Sequence, residues 1–278
     1  MKSLKKKLLI RPRIFIGSSS ESLVLARTMA GALKRYFSPV VWDKDVFSPG
    51  TFTIEGLLEE VRKCHLALFV FSKDDIVKLR GRSYKAARDN VVFEFGLFMA
   101  KLGRETCFFL APRSKDPFRI PSDLSGLIHI PYDAGASAKS PKKGLQSAAV
   151  ELKGTIDKLL HGDGHRLSLT GEWDESWKVK SSNFKSMNGG HAYVLQVGEK
   201  KLYARTEAGG RVYMIDGEID HGIVIGRWYD QEGGPTYSGS FQLRVDGKAQ
   251  TMCGQWVGFS ATSGSIKNGK WVWKRRES

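Results

Sequence analysis

Two rhythms of apolar and polar residues divide the chain. Up to about residue 165, short apolar runs alternate with longer amphipathic stretches. Arg13-Ile14-Phe15-Ile16-Gly17 reads as a short buried strand. Ser18-Ser19-Ser20-Glu21 follows, offering an N-cap and an early acidic residue to a helix that runs through Tyr36. Pro39 to Trp42 reads as a second strand, Asp43 to Thr51 as a polar loop, Ile54 to Lys63 as a helix and His65 to Phe71 as a strongly apolar strand. Ser72 to Arg88 reads as a long basic loop. Asn90 to Gly103 then carries Val91, Phe95, Phe98 and Leu102 on one helical stripe. Thr106 to Leu110 and Leu127 to Ile130 are further strands, and Gly144 to Leu160 a last helix. Strands alternating with helices predict βαβ units: an α/β fold, with a parallel sheet and right-handed crossovers.

The rhythm changes after His161-Gly162-Asp163-Gly164-His165, where glycines end the helical pattern. Short alternating strands broken by glycine follow. Gly171-Glu172-Trp173, Gly226-Arg227-Trp228, Gly254-Gln255-Trp256 and Gly269-Lys270-Trp271 repeat a Gly-x-Trp unit. Residues two apart in a strand share a face. Glycine there permits a bend, and the tryptophan fills the space beside it. Four such units among about eight short strands predict a small closed antiparallel barrel, an all-β domain. Most of these indoles are expected in the core; some, at a barrel mouth, would be free to stack on a flat ligand.

Composition narrows the class. The 278 residues are 41% hydrophobic and 26% charged, a globular mix. No run of about 20 apolar residues predicts a membrane span, and Leu8-Leu9-Ile10 is too short for a signal-peptide core. The three cysteines are scattered, which excludes a disulfide framework and fits a cytoplasmic protein. No metal is expected, because the histidines are dispersed and show no ligand spacing. The net charge is +15, with 28 basic and 17 acidic side chains in residues 1–165 against 16 and 12 in the remainder. No nucleic-acid motif accompanies that excess, so small anionic ligands account for it better than a nucleic-acid polymer does.

The most unusual stretch is Arg88-Asp89-Asn90-Val91-Val92-Phe93-Glu94-Phe95-Gly96. Asp89 or Asn90 can cap the helix. Glu94 falls about one turn in, where a carboxylate complements the helix dipole. Its neighbours are apolar, so burial should raise its pKa unless a partner or ligand holds it. No second carboxylate stands at a partner spacing, which argues against an acid–base glycosidase pair. One carboxylate suffices where the leaving group needs no proton, as when nicotinamide, bound to ribose as a cationic pyridinium, departs neutral and leaves an oxocarbenium ion.

The Gly17 to Glu21 serine loop, Trp42 with Phe47-Ser48-Pro49-Gly50-Thr51, and Arg88 to Phe98 together resemble bacterial TIR-like domains. These are effectors of the CBASS and Pycsar type, which accompany cyclic-nucleotide anti-phage systems. The resemblance implies a TIR-like, flavodoxin-like parallel sheet with helices on both faces, over residues 11–161. It also implies NAD⁺ cleavage, with NAD⁺ as substrate and no cofactor. Glu94 matches the family's catalytic glutamate. By the same match Ser18 and Ser19 would face the nucleotide and Phe47 would sit in a loop flanking the cleft. Asp89 would lie at the helix entrance near the ribose, and Trp42 and Asp43 would border the substrate from the strand end. The barrel, residues 167–278, resembles the minimal β-barrel cyclic-nucleotide receptor domains of CBASS effectors. It implies a cyclic di- or trinucleotide as partner and a homo-oligomer on activation; no residue is assigned to the messenger. Two other readings keep the α/β layout: a nucleoside deoxyribosyltransferase-like enzyme with Glu94 as nucleophile, and a non-catalytic adaptor that only assembles.

Overall fold

The computed structural model describes residues 10–42, 53–113, 118–124, 126–161, 168–178, 188–231, 237–260 and 264–277. Its contacts divide the chain into two compact units, Arg11–Ile156 and one that takes in Asp157–Ser278.

The first unit is an α/β domain. Strands β1 (Arg13–Ser18), β2 (Ser38–Val41), β3 (Leu66–Val70), β6 (Cys107–Arg113) and β8 (His129–Asp133) form one parallel sheet. Their order is β2-β1-β3-β6-β8. That order places a topological switch point between β1 and β3, where the loops leaving the two strands diverge. Helices α1 (Leu23–Leu33), α2 (Thr53–Lys63), α3 (Asp89–Leu102), α4 (Ala134–Lys139) and α5 (Pro141–His161) complete the unit. β3 is buried at every position, as expected of a strand covered on both faces.

Alternation along the strands sends Phe15, Phe69, Phe71 and Phe109 into one core with Val91, Phe95, Phe98 and Leu102 of α3 and Leu57 and Val61 of α2. The rings interlock. Phe15 stacks on Phe98 at 4.2 Å between centroids, and Phe95 meets Phe69 and Phe71 edge-on at 5.6 and 5.7 Å. Each such pair contributes about 0.5–1.5 kcal/mol beyond its buried area. The predicted stripe on α3 is therefore the side of the helix that binds it to the sheet.

Two expectations are corrected here. Ser72 to Arg88 is not a loop: β4 (Asp75–Leu79) and β5 (Arg82–Ala86) form an antiparallel hairpin. Its two turn residues, Arg80 and Gly81, both have positive φ, 47° and 78°, the geometry of a tight hairpin turn. β7 (Phe118–Arg119) adds to β5 in parallel. Most hairpin side chains are exposed or half-exposed, so no apolar alternation marks them. Likewise, Ser18, Ser19 and Ser20 do not cap α1. The cap position is Ser22, whose side chain makes no capping hydrogen bond.

In the second unit, eight antiparallel strands close a barrel: β9 (Gly171–Trp177), β10 (Asn188–Val197), β11 (Lys201–Ala208), β12 (Arg211–Asp220), β13 (Ile223–Asp230), β14 (Tyr237–Val245), β15 (Thr251–Ser260) and β16 (Ser265–Arg275). β16 pairs with β9, so no sheet edge is left open. The Gly-x-Trp units serve closure. A Cβ at Gly226, Gly254 or Gly269 would collide with the backbone of the adjoining chain at Asp216, Gln242 or Lys178. The paired tryptophans point inward with Ala204, Ile215, Val224 and Leu243. One end is sealed. Trp173 is fully buried, donates Nε1–H to the Leu169 carbonyl at 2.9 Å, and lies under the Arg275 guanidinium at 4.9 Å. Among the described residues no helix is long and apolar enough to cross a membrane.

Gly254→Ala should cost the barrel about 1–3 kcal/mol, because the added methyl meets backbone that cannot step aside. Thermal unfolding followed by tryptophan fluorescence should show a midpoint several degrees lower. An unchanged midpoint would mean that the strands do not approach as closely as described.

Candidate functional site

The carboxyl ends of β1 and β3 define the edge where an open α/β sheet binds ligands. Gly17 lets this edge close, since a Cβ there would run into the Phe69 ring. Beyond it the two diverging loops are tied together. Ser19 and Ser72 both donate their hydroxyls to Oδ2 of Asp74 at 2.6 Å, and Ser22 donates to Ser72 at 2.5 Å. Arg88, just before α3, donates to Glu21 at 2.9 Å and lies 3.9 Å from Asp75. Serine loop, hairpin and α3 entrance are thus held by two neighbouring polar clusters across the switch point.

Glu94 lies in the second turn of α3, between exposed Phe93 and fully buried Phe95. The helix fixes its place, because Phe95 and Phe98 are locked in the aromatic core. Its Oε2 is buried and has no hydrogen-bond partner among the described residues. Burial alone pushes its pKa from the ordinary 4.5 up to about 7. Ser18, the last residue of β1, likewise buries a hydroxyl with no partner among the described residues. Polar atoms this deep are ordinarily satisfied. These two lie on β1 and on the helix that packs against it.

The other candidates differ. Ser19 is buried and already committed to Asp74. Trp42 packs its ring on Phe15 at 5.6 Å, while its backbone N–H donates to the Ile16 carbonyl at 2.9 Å, so it continues the aromatic core past the end of β2. Asp89 is exposed in the first turn of α3 and accepts the Asn90 N–H at 2.8 Å; the cap position is Arg88. Asp43 and Phe47 lie outside the described residues. His65 accepts the Arg13 N–H at 2.9 Å, and its pKa is driven down to about 4 by burial and by that arginine. It is a neutral structural residue.

Sequence reasoning missed Asp74. Its signal was positional: an acid four residues beyond a fully apolar strand, in the loop that faces the serine loop. It also missed Glu175. In Trp173-Asp174-Glu175-Ser176-Trp177 the period of two puts that acid on the same inward face as both tryptophans. Glu175 is 4% exposed, accepts Trp271 Nε1–H at 2.8 Å and the Thr206 hydroxyl, and has its pKa raised to about 7 by burial against those two bonds. It lines a cavity of about 220 Å³ at the barrel end opposite Trp173, with Trp177, Trp228, Tyr237, Trp256 and Trp271.

A five-stranded parallel sheet of this order, with a buried carboxylate on the helix beside its switch point, is an α/β fold of the TIR kind. Residues 13–134, the stretch from β1 through β8, match the family described as CAP12/Pycsar effector protein, TIR domain. Among curated relatives, the Pycsar effector protein BcPycTIR of Burkholderia cepacia is 36% identical over 121 residues, 43% of this chain and 40% of that protein. PaPycTIR of Pseudomonas aeruginosa is 35% identical over 147 residues, 52% and 47% of the two chains. CD-NTase-associated protein 12 of a Lachnospiraceae bacterium is 31% identical over 156 residues, 54% and 47%. The chain spans less than half the length of each of these relatives.

Because the folded-state pKa of Glu94 lies above 4.5, the fold holds this proton more tightly than the unfolded chain does. That contribution to stability is complete below pH 4.5 and is lost as pH rises through about 7. Glu94→Gln should therefore stabilise the domain at pH 8 by about 1–2 kcal/mol, allowing for solvent at the half-buried side chain, and change little at pH 4. Thermal melts at the two pH values test this; equal shifts at both would refute the unpaired carboxylate.

Proposed function

We propose that this chain is an anti-phage defence effector whose TIR domain hydrolyses NAD⁺ at the nicotinamide–ribose bond. In this reading the barrel binds a cyclic nucleotide messenger, and binding drives assembly into a homo-oligomer that switches the TIR domain on. One observation carries the enzyme half: Glu94 keeps a buried carboxylate oxygen without a partner beside the ligand-binding edge of the sheet. A structural carboxylate would be hydrogen-bonded or solvated, whereas a carboxylate awaiting a cationic, hydroxyl-bearing substrate fits both its burial and its raised pKa. The relatives named as Pycsar effectors support the same reading.

The chemistry asks little of the protein. The C1′–N bond breaks and its electron pair returns to the pyridinium nitrogen, so nicotinamide leaves neutral and unprotonated. Positive charge moves onto C1′ and the ring oxygen. Ionised Glu94 stabilises that charge and orients the ribose hydroxyls. Water then adds to C1′ and loses one proton to the carboxylate or to solvent, leaving ADP-ribose. Ser18, with its unpaired buried hydroxyl, is the neighbouring group available to the nucleotide. The barrel supports the sensor half through its aromatic cavity.

Purified protein should consume NAD⁺ only when one member of a panel of cyclic mono-, di- and trinucleotides is added. Glu94→Gln should lower turnover at least a thousandfold without changing the fold. NAD⁺ untouched under every condition would favour the adaptor, and a covalent sugar adduct on Glu94 seen by mass spectrometry would favour the deoxyribosyltransferase. In the activated enzyme, kcat/KM should rise with pH through about 7, because free Glu94 must lose its proton to act. A profile flat from pH 5 to 8 would remove Glu94 from that role.

A further inference from the structure

The open end of the barrel carries features that its fold does not require. Trp256 is 9% exposed, yet its Nε1–H has no acceptor among the described residues, and neither has the buried Nε1–H of Trp228. Both line the cavity of about 220 Å³. Trp173 and Trp271 have theirs bound to Leu169 and Glu175, while the buried Trp273, outside this cavity, has no acceptor for its own among the described residues. A buried N–H without an acceptor costs stability, so two of them in one cavity point to acceptors that arrive with a ligand.

The geometry around them is that of a slot for a flat ring. Trp228 meets Tyr213 and Trp256 edge-on, at 5.9 Å and 76–77°. Gly239 and Gly258 make room for its indole, since a Cβ at either would strike it. Glu175 lies in the same wall with two donors already bound, leaving acceptor capacity for an amino or ring N–H of the ligand. Lys267 is an exposed cation among the lining residues, on the strand that begins at this end. The volume is below the roughly 300–1,000 Å³ of sites that enclose a drug-sized ligand. It takes one heterocycle and leaves a sugar-phosphate outside.

From this we infer that the barrel cavity is a receptor for a single nucleobase of its ligand. The base stacks among Trp228, Trp256 and Tyr237, its ring acceptors take the two indole N–H groups, its amino or ring N–H faces Glu175, and its phosphate meets Lys267. A 3′,5′-cyclic mononucleotide and one base of a larger cyclic oligonucleotide share this chemistry. The inference rests on reading the barrel as the sensor, and names the part of the messenger that the sensor reads.

Calorimetry and tryptophan-fluorescence quenching on the full chain test it without reference to catalysis. The probes are the four common nucleosides, their 3′,5′-cyclic monophosphates, cyclic dinucleotides, and ribose 5-phosphate as the base-free control. At least one base-bearing probe should bind and quench, and ribose 5-phosphate should do neither. Trp228→Phe, which keeps an aromatic face but removes the N–H, should weaken binding about tenfold. Lys267→Ala at the exposed rim should weaken the nucleotides and leave nucleosides unchanged. If cyclic mononucleotides bind as tightly as cyclic dinucleotides, the ligand is the smaller ring; if only dinucleotides bind, the second base makes contacts outside the cavity. Equal binding of ribose 5-phosphate would overturn the inference. So would nucleotide binding that is indifferent to both substitutions, or the absence of binding by any base-bearing probe. Binding with NAD⁺ left intact would keep this site and reject the proposed function; messenger-dependent NAD⁺ cleavage with the cavity indifferent would do the reverse.

Discussion

The packing of α3 against the parallel sheet is the constraint on which the first domain depends. Phe95 and Phe98 insert between Phe15, Phe69, Phe71 and Phe109, and once those rings interlock the helix has no freedom to rotate. Glu94 is adjacent to Phe95 in sequence, so core packing sets how deep its carboxylate lies. Burying a phenylalanine contributes about 1.5–3 kcal/mol, and several such rings together outweigh the cost of holding one carboxyl group half out of water. The raised pKa of Glu94 is thus a consequence of the core, and the same core holds the group in one place for chemistry.

The barrel shows the same economy with other residues. Closure brings backbones so near that only glycine fits at 226, 254 and 269, and each glycine is followed two residues on by an inward indole. At one end Trp173 fills the interior with its N–H bound to the Leu169 carbonyl. At the other, Trp228 and Trp256 line space, and a buried glutamate stands between them and the core. Both domains therefore carry a carboxylate lifted to about pKa 7 by burial, but in different settings. Glu175 is held by two donors, while Glu94 has an oxygen with none among the described residues.

Much of this was legible in the sequence where apolar periodicity is strong. β3 and the stripe on α3 declared themselves, and the Gly-x-Trp repeat foretold a closed barrel. Glu94 stood out because an acid flanked by phenylalanines is incongruous. What could not be read lay where side chains are polar on both faces. The β4–β5 hairpin has no inward apolar row, and only Gly81 hinted at its turn. The serines after β1 look like caps in sequence, yet Ser19 turns instead to Asp74, 55 residues away, a contact that exists only once β1 and β3 are neighbours. Glu175 was visible by parity but silent, since nothing local distinguishes a buried acid from a solvated one on a half-polar strand.

Under the proposed function, occupancy of the barrel governs Glu94. Nicotinamide release titrated with the activating cyclic nucleotide, in the wild type and in Trp228→Phe, tests it most directly. The substitution should move the half-activating concentration about tenfold upward and leave the plateau rate unchanged. A lowered plateau at an unchanged midpoint, or full cleavage with no nucleotide added, would contradict it.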